Sequence, residues 1–534
     1  MLGISVIRTA VRMPCVKNIL FIMADQLRWD YLSCTGHPTL DTPNIDRLAK
    51  KGVLFPRGYV QSPVCGPSRM SFYTGRYVCS HRSTWLFVPL PLSELCIGDY
   101  MGQAGLGMSL IGKSHFFPDL NSINRLGGAA DERRAALALE GGFEVIMRDD
   151  GVFGNGPVDT PYANYLRSLG YNSDNPWHDY ANSAKGSKDQ VLSGWQMRYA
   201  KEPARIPDEH GETAYTTDCA IDFIASKAEE PWSLHLSYIK PHWPYVVSAP
   251  YNDMYGSDDV VAAQRSTSEL ENCNPVVKAF IDREDSREFM RDDVRETVIP
   301  IYMGLISQLD HHIGRLLDYL EAAGRMEDTM IVFTSDHGDY LGDHWLGEKE
   351  LFHDPSVRVP VIIYDPRHAA DPTRGKVDNR LVEGIDIIPT FLEALGQDIP
   401  PEALEGRSLI PLLHDDAGPW REAVFSELDY AFHKDVRDYL GISEQECRAM
   451  MVFDGRWKYI FYEGFTPQLF DLESDPQELI DLGGDPGYKQ ERVRLHEMLF
   501  AWIRTRKLRT TVDNGFVDSW QEDAYRRGIT VGRW

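Results

Sequence analysis

The 534-residue chain lacks several features that would fix its class at once. No apolar run approaches the ~20 residues needed to span a bilayer, so no membrane helix is expected. There is no CxxC pair: eight cysteines lie scattered as Cys15, Cys34, Cys65, Cys79, Cys96, Cys219, Cys273 and Cys447. That pattern excludes a dense disulfide framework. It reads as reduced thiols in a cytoplasmic protein, with a periplasmic setting left open. Positive charge is scarce: 55 Lys and Arg against 80 Asp and Glu leave a net charge of -25. This acidic excess argues against a nucleic-acid or anionic-membrane partner. It does not restrict the charge inside a cleft, where a metal and a few cations can dominate. No internal repeat or low-complexity tract is present.

What is there is ordinary in bulk and informative in detail. Hydrophobic residues at 43% and charged residues at 25% are those of a soluble globular protein. The length predicts one large domain and one small one. The N-terminal "MLGISVIRTAVRMPCVK" has a short apolar run broken by Arg8 and Arg12, and lacks a signal-peptide core. Residues 1–16 read as a leader segment, or as residues upstream of a start at Met13. "RTAVR" is too short for a membrane helix.

"KNILFIMADQ" reads as a buried parallel strand whose polar residues come at its end. "TPNIDRLAKKGVLF" reads as a helix capped by Thr42, with Pro43 in its first turn. "GLGMSLIGKSHF", "WSLHLSYIKPHWP" and "DTMIVFTSDHGD" are further strands, ending in GKSH, KPH and SDHG. "IYMGLISQLDHHIGRLLDYLEAAG" is a helix with Leu305, Leu309, Ile313, Leu316 and Leu317 near helical spacing. Strands alternating with helices imply an α/β fold: a mostly parallel central sheet flanked by helices, over residues 17–415. In such folds ligands gather beyond the carboxyl ends of the strands, where all four named strands carry their polar residues. After about residue 415 the texture changes. "RAMMVFDGRWKYIFY" and "PQLFDLESDPQE" read as short strands with Asp-Gly and Asp-Pro turns, and "ERVRLHEMLFAWIRTRK" as a closing helix. Residues 416–534 are therefore expected to form a small C-terminal domain with an antiparallel sheet and a helix, followed by a tail.

Two pairs at strand ends suggest a metal: Asp25 with Gln26, and Asp336 with His337. Carboxylate and amide oxygens suit a hard divalent cation, and one imidazole widens the choice toward manganese. An Asp after a strand also caps the following helix, so either pair alone leaves the choice open. Cys65 lies in "SPVCGPSRMSFYTGR". Pro67 suits the first turn of a helix that Gly75 ends, and the N–H groups at that start favour an anion. Arg69 follows one turn later. A helix start, an arginine and a metal would hold an oxyanion at Cys65; a buried, unreactive thiol is the alternative.

"CGPSR" followed by "TGR" resembles the C-x-P-S-R-type motif of the formylglycine-dependent sulfatases, within the alkaline-phosphatase-like superfamily. "MADQ", "GKSHF", "KPHWP", "TSDHGD" and "LGEKELF" then "VRVP" follow in that family's order. The resemblance covers most of residues 17–415, and "QLFDLESDPQE" is similar to the family's small domain. It implies that a formylglycine-generating enzyme oxidises Cys65 to formylglycine. One hydroxyl of the hydrate would attack sulfur; the other would expel sulfate as the aldehyde re-forms. Asp25, Gln26, Cys65, Asp336 and His337 would hold one divalent ion, Ca2+ or Mn2+. Arg69 would hold the modified side chain. Lys113 and Lys349 would neutralise charge on the sulfuryl oxygens. His242 would protonate the leaving oxygen, and His115 would take the proton during elimination.

Two departures qualify the resemblance. Many sulfatases carry Asp where this chain has Gln26, and Asn where it has His337. The Gln and His forms resemble the phosphonate monoester hydrolase and choline-sulfatase branches, and make manganese more plausible than calcium. "GKSH", in contrast, is the sulfatase form. The expected activity is therefore hydrolysis of a small, aryl sulfate ester, with promiscuity toward phosphonate and phosphate esters. A phosphonate monoester or phosphodiester hydrolase and a choline sulfatase are the alternatives, and a degenerate anion-binding protein is the non-enzymatic one. Asp310, His311 and His312 read as a solvated or hydrogen-bonded helix face. His344, Trp345 and His353 could line the pocket around Lys349. Trp243 and Tyr245 either receive an aryl or quaternary-ammonium group or pack in the core. The aromatic-bearing tail "RTTVDNGFVDSWQEDAYRRGITVGRW" suggests a homo-oligomer that buries it.

Overall fold

The computed structural model describes residues 16–125, 137, 140–151, 156–416 and 418–528. The proposed leader falls almost wholly outside them. The main sheet is built from β1 (Asn18–Asp25), β2 (Val53–Tyr59), β3 (Met108–Gly112) and β4 (Glu144–Arg148). A separate hairpin pairs β5 (Ser183–Lys185) with β6 (Val191–Ser193). The sheet resumes with β7 (Ser233–Pro241), β8 (Thr329–Ser335), β9 (Arg358–Tyr364), β10 (Lys376–Val377) and β11 (Val382–Glu383). Its order is β10-β2-β9-β8-β1-β7-β3-β4, with β11 also beside β2. Every pairing is parallel except those of β9, which runs against both β2 and β8. This is the mostly parallel α/β sheet that the alternating elements predict.

β1 is buried along its whole length at the sheet centre. Its side chains alternate between faces, as the strand period of two requires. Ile19, Phe21 and Met23 join one core, with the helices Cys65–Thr74 and Ile387–Ala394. Leu20, Ile22 and Ala24 join the other, with the helices Pro43–Lys51 and Asp292–Ala322. Each fully buried large apolar side chain contributes about 1.5–3 kcal/mol.

Three local expectations change. The first helix stops at Lys51, and Val53–Phe55 belong to β2 instead. Gly52 separates the two elements, and a Cβ there would meet the Ile363 carbonyl oxygen at 2.2 Å. Thr42 occupies the N-cap position but does not cap; its hydroxyl faces Ser33 and Asp46. The cap comes from Asp310, whose Oδ1 accepts from the Asn44 and Ile45 N–H groups at 3.0 and 2.8 Å. β2 and β9 escape a reading by pattern because each contains a proline, Pro56 and Pro360. Pairing skips from Phe55 to Gly58 opposite Pro360, so the missing N–H falls at a bulge.

The C-terminal sheet runs β12 (Val424–Asp429), β13 (Arg448–Phe453), β14 (Trp457–Tyr462) and β15 (Gln468–Asp471), antiparallel throughout. The helix Lys489–Arg504 packs on it through Leu495, Leu499 and Trp502. Among the described residues no helix is long and apolar enough to cross a membrane.

One buried cation ties this sheet to the main one. Lys458 on β14 is fully buried. Its Nζ lies 2.6 Å from both Asp354 Oδ1 and Glu478 Oε1, and donates to the Phe352 carbonyl at 3.1 Å. Asp354 leads directly into β9. Removing one partner strands buried carboxylates, which costs about 3–5 kcal/mol. Lys458→Met is therefore expected to lower the unfolding free energy by that order, measured by urea unfolding followed by tryptophan fluorescence; an unchanged value contradicts the lock.

Candidate active site

Parallel pairing brings the carboxyl ends of β1, β3, β7 and β8 to one edge of the sheet. There they deliver Asp25 and Gln26, Lys113 and His115, His242, and Asp336 and His337. β2 ends at the same edge and leads into the helix Cys65–Thr74, every residue of which is buried. Cys65 is the first helical residue, two positions earlier than a start at Pro67 would put it, and Gly75 closes the helix at φ 65°. Gly66 admits a close crossing: a Cβ there would meet the Leu86 Cα at 2.9 Å. All ten of the expected site residues converge.

The two acids divide their oxygens. Asp25 Oδ2 pairs with Lys113 Nζ and lies 3.2 Å from an Arg69 nitrogen. Asp336 Oδ2 accepts from Arg69 Nε at 2.8 Å. Arg69, Asp25 and Asp336 are all fully buried. The other oxygens face a common point. Asp25 Oδ1 is buried and has no hydrogen-bond partner. His337 Nε2 lies 3.9 Å from it and 3.8 Å from Asp336 Oδ1. With Cys65 Sγ, these ligand atoms all fall within 4.8 Å of one another. His337 Nδ1 faces the Gly338 carbonyl at 2.8 Å, which places its proton there and leaves the Nε2 lone pair for the common point. An unpartnered buried carboxylate oxygen, an oriented imidazole and a second carboxylate fit a divalent cation. Gln26, at φ 63°, sends its backbone N–H to Asp336 Oδ1 and its Oε1 toward Lys349 Nζ at 3.2 Å.

Cys65 Sγ marks the reacting position. His337 Nε2 lies 3.1 Å and Lys349 Nζ 3.3 Å from it, and the His115 side chain is near enough to favour its ionised form. Burial alone would push the thiol up, but Lys349, Lys113 and His337 outweigh it and hold it well below its ordinary value. The position is built for negative charge. Burial would likewise push Asp25 up; Lys113 reverses this and holds it low. His242 Nε2 lies 3.3 Å from Lys349 Nζ. Burial, then Lys349, push His242 down to about 4, so its ring is neutral at pH 7 until an arriving anion offsets the lysine.

Lys349 sits in a strained loop. His344, Trp345, Glu348, Glu350 and Leu351 all take φ between 48° and 79°. Such residues cost of order 1–3 kcal/mol each and persist where the surroundings hold them. Of the other expected pocket residues, Trp243 stays beside Lys349, its ring centre 5.9 Å from Nζ, and the rest lie further off. His344 and His353 stack at 4.0 Å and line a separate cavity of about 210 Å³ with Glu269, Cys273 and Phe470. Tyr245 is buried and donates to Asp339. Trp243 stays half-buried, 4.2 Å from the His242 ring, and Trp345 packs against Arg265. His312 bonds to Asp208 and His311 is exposed, consistent with a helix face rather than a second metal.

Asp339 was not legible as a site residue. Its carboxylate accepts from the Gln26 amide, from Tyr245 Oη at 2.9 Å and from the Leu341 N–H at 3.0 Å, and so orients Gln26. Only its place in "TSDHGD", three residues after Asp336, could have pointed to it.

The site is thus a buried acid–histidine–thiol cluster at the carboxyl edge of an α/β sheet, one that could hold a divalent ion. A family model described as "Sulfatase" matches residues 17–397, and one described as "N-sulphoglucosamine sulphohydrolase, C-terminal" matches residues 342–505. The chain belongs to the sulfatase family. It is 32% identical to the "Multifunctional alkaline phosphatase superfamily protein PehA" of Trinickia caryophylli, over 88% of this chain and 92% of that protein. It is 27% identical to an arylsulfatase of Clostridium perfringens, over 92% and 95%. A phosphonate monoester hydrolase of Silicibacter pomeroyi superposes with a TM-score of 0.80 at 28% identity, covering 92% of this chain and 96% of that one.

Because Asp339 orients Gln26 from behind, Asp339→Ala is expected to weaken divalent-ion binding about 10–100-fold, read by calorimetric titration of the metal-free protein with Mn2+ or Ca2+. Unchanged affinity would mean that Gln26 contributes nothing to the ion.

Proposed function

We propose that the protein is a metal-dependent sulfatase that hydrolyses a small aryl sulfate ester through a formylglycine made from Cys65, and that it also accepts phosphonate and phosphate esters. One observation carries this reading: the first residue of a buried helix, Cys65, meets Lys349 and His337 at 3.3 and 3.1 Å, beside an acid cluster that fits an ion. Asp25, Gln26, residue 65, Asp336 and His337 would hold the ion. Bound there, it would stabilise negative charge on the nucleophile's oxygen and on the ester. The amide and imidazole ligands favour manganese over calcium.

The chain's own groups supply the rest. Arg69 holds both acids in place. Lys113 and Lys349 offset charge on the non-bridging oxygens, the largest kind of contribution in such sites. His242 gives its proton to the leaving oxygen as the ester bond breaks. Its neutral resting state fits a donor that is charged only once the anionic ester sits beside Lys349. His115 takes the proton of the hydrate's second hydroxyl as sulfate departs and the C=O bond re-forms. A water then adds to that carbonyl and restores the hydrate.

A second reading has its own support: the likeness to a phosphonate monoester hydrolase and the Gln26 and His337 ligands favour an enzyme that prefers phosphonate esters. Peptide mass spectrometry of residue 65 is expected to find the aldehyde in place of the thiol, and Cys65→Ala to lose at least 10³-fold in kcat with an unchanged fold. Aryl sulfate is expected to show the higher kcat/KM against the matching aryl phosphonate. An intact thiol in fully active enzyme removes the nucleophile; the reverse kinetic order moves the second reading to first.

The same reading includes a homo-oligomer. The helix Asn514–Arg526 exposes Phe516, Val517 and Trp520, apolar surface that a second copy would cover. Deleting residues 512–534 is expected to lower the solution mass measured by light scattering; an unchanged mass rules the tail out.

A further inference from the structure

Behind the two histidines lies a second set of buried ionisable groups that the chemistry above does not use. β4 is followed by Asp149 and Asp150. Asp150 Oδ1 accepts from the backbone N–H groups of Ser114 and His115, at 2.9 and 2.8 Å. His115 itself takes φ 54°, a region its side chain disfavours. Arg148 closes the clamp. Its Nε donates to Asp150 Oδ2 at 2.6 Å, and another of its nitrogens donates to the Phe116 carbonyl at 2.8 Å. The unfavourable turn that aims His115 is thus held by one carboxylate and its arginine.

The His242 turn has a counterpart. Lys240 is buried, yet its Nζ touches no reacting group. It donates to Asn182 Oδ1 and the Pro244 carbonyl at 3.0 Å, and to the His242 carbonyl at 3.4 Å. All three ammonium protons are used, two of them on the short stretch that carries His242. Besides Asp25 at the site, two carboxylates act on Lys240: Glu212 of the helix Glu212–Ser226 and Asp149 just after β4. Both are buried, and each keeps one oxygen off any ordinary donor, Asp149 Oδ2 and Glu212 Oε2. Trp177 Nε1 donates to the other oxygen of Glu212 at 2.7 Å. Burial, then Glu212, push Asp149 well above the usual carboxylate range.

We propose that Asp150 and Lys240 are positioning residues, fixing the turns that carry His115 and His242. The inference rests on the proton-transfer roles given to those histidines. It separates them by step. Lys240 governs protonation of the leaving oxygen, so its loss is felt most when that oxygen is basic. Asp150 governs release of the product anion, so its loss is felt after the leaving group has gone.

The test uses the full-length, metal-loaded enzyme with a series of aryl sulfates of rising phenol pKa. Lys240→Met is expected to lower kcat/KM about 10–100-fold for phenyl sulfate and little for p-nitrophenyl sulfate, parallel to His242→Ala. Asp150→Ala is expected to release p-nitrophenol in a stoichiometric burst followed by slow turnover, parallel to His115→Ala. Asp150→Asn, which keeps an oxygen for the two N–H groups, should restore most of the rate. If Lys240→Met does not fold, Lys240→Gln is measured in its place and is expected to show the same slope at smaller amplitude. A uniform loss across the series in the Lys240 variant, with His242→Ala still dependent on the leaving group, overturns the inference and spares the histidine roles. A His242→Ala enzyme indifferent to the leaving group removes both.

Discussion

Two fully buried carboxylates, Asp25 and Asp336, constrain everything built around them. Neither could stay ionised in such surroundings alone, since an isolated buried charge is neutralised rather than tolerated. Each meets this by giving one oxygen to Arg69 or Lys113 and turning the other toward a shared point. The arginine is as deeply buried as the acids it holds, and a guanidinium suits this because it cannot lose its proton. The cations were therefore needed for folding the site before they could serve any substrate. The remaining oxygens, with His337 and residue 65, form a cluster that could hold a divalent ion.

The same economy of charge explains the loop around Lys349. That ammonium touches Cys65, Gln26 and His242, and so links the thiol, the amide beside the acid cluster and the imidazole on the far side. Reaching them requires several non-glycine residues to adopt left-handed backbone, and the loop is braced on both flanks. Glu350 receives His433 from the C-terminal part of the chain, and Asp354 receives Lys458. The small C-terminal sheet thus acts on the site through the segment that follows Lys349, although it contributes no group to the reacting point.

Much of this was legible in the order of residues, and the reason is geometric. A parallel strand buried on both faces must be apolar, so the polar residues after Ala24, Gly112, Ile239 and Ser335 stand out, and the topology brings those ends together. What stayed hidden has two sources. β2 and β9 contain prolines that a bulge accommodates, and a bulge appears only once two distant strands are paired. Asp310, Asp339, Asp150 and Lys240 act through contacts with backbone or with another side chain, and nothing in their local spacing reports such a partner. Thr42 shows the converse: a residue of the right type at the right place, displaced from its role by an acid 268 positions away. The aromatic and histidine residues near Lys349 were ambiguous for the same reason: His344 and His353 line another cavity, while Trp243 stays beside the lysine.

The bond between Lys458 and Asp354 also has a meaning in time. Residue 65 ends buried beneath the loop that this lysine braces, yet 393 residues separate the two positions in the chain (458 minus 65). At roughly 5–20 residues per second, a ribosome needs about 20–80 s to cover that distance. Throughout that interval the cysteine has left the tunnel while its roof has yet to be made. Any enzyme that edits this thiol would have its opening then, and a chain released and folded unedited would offer it only a sealed surface.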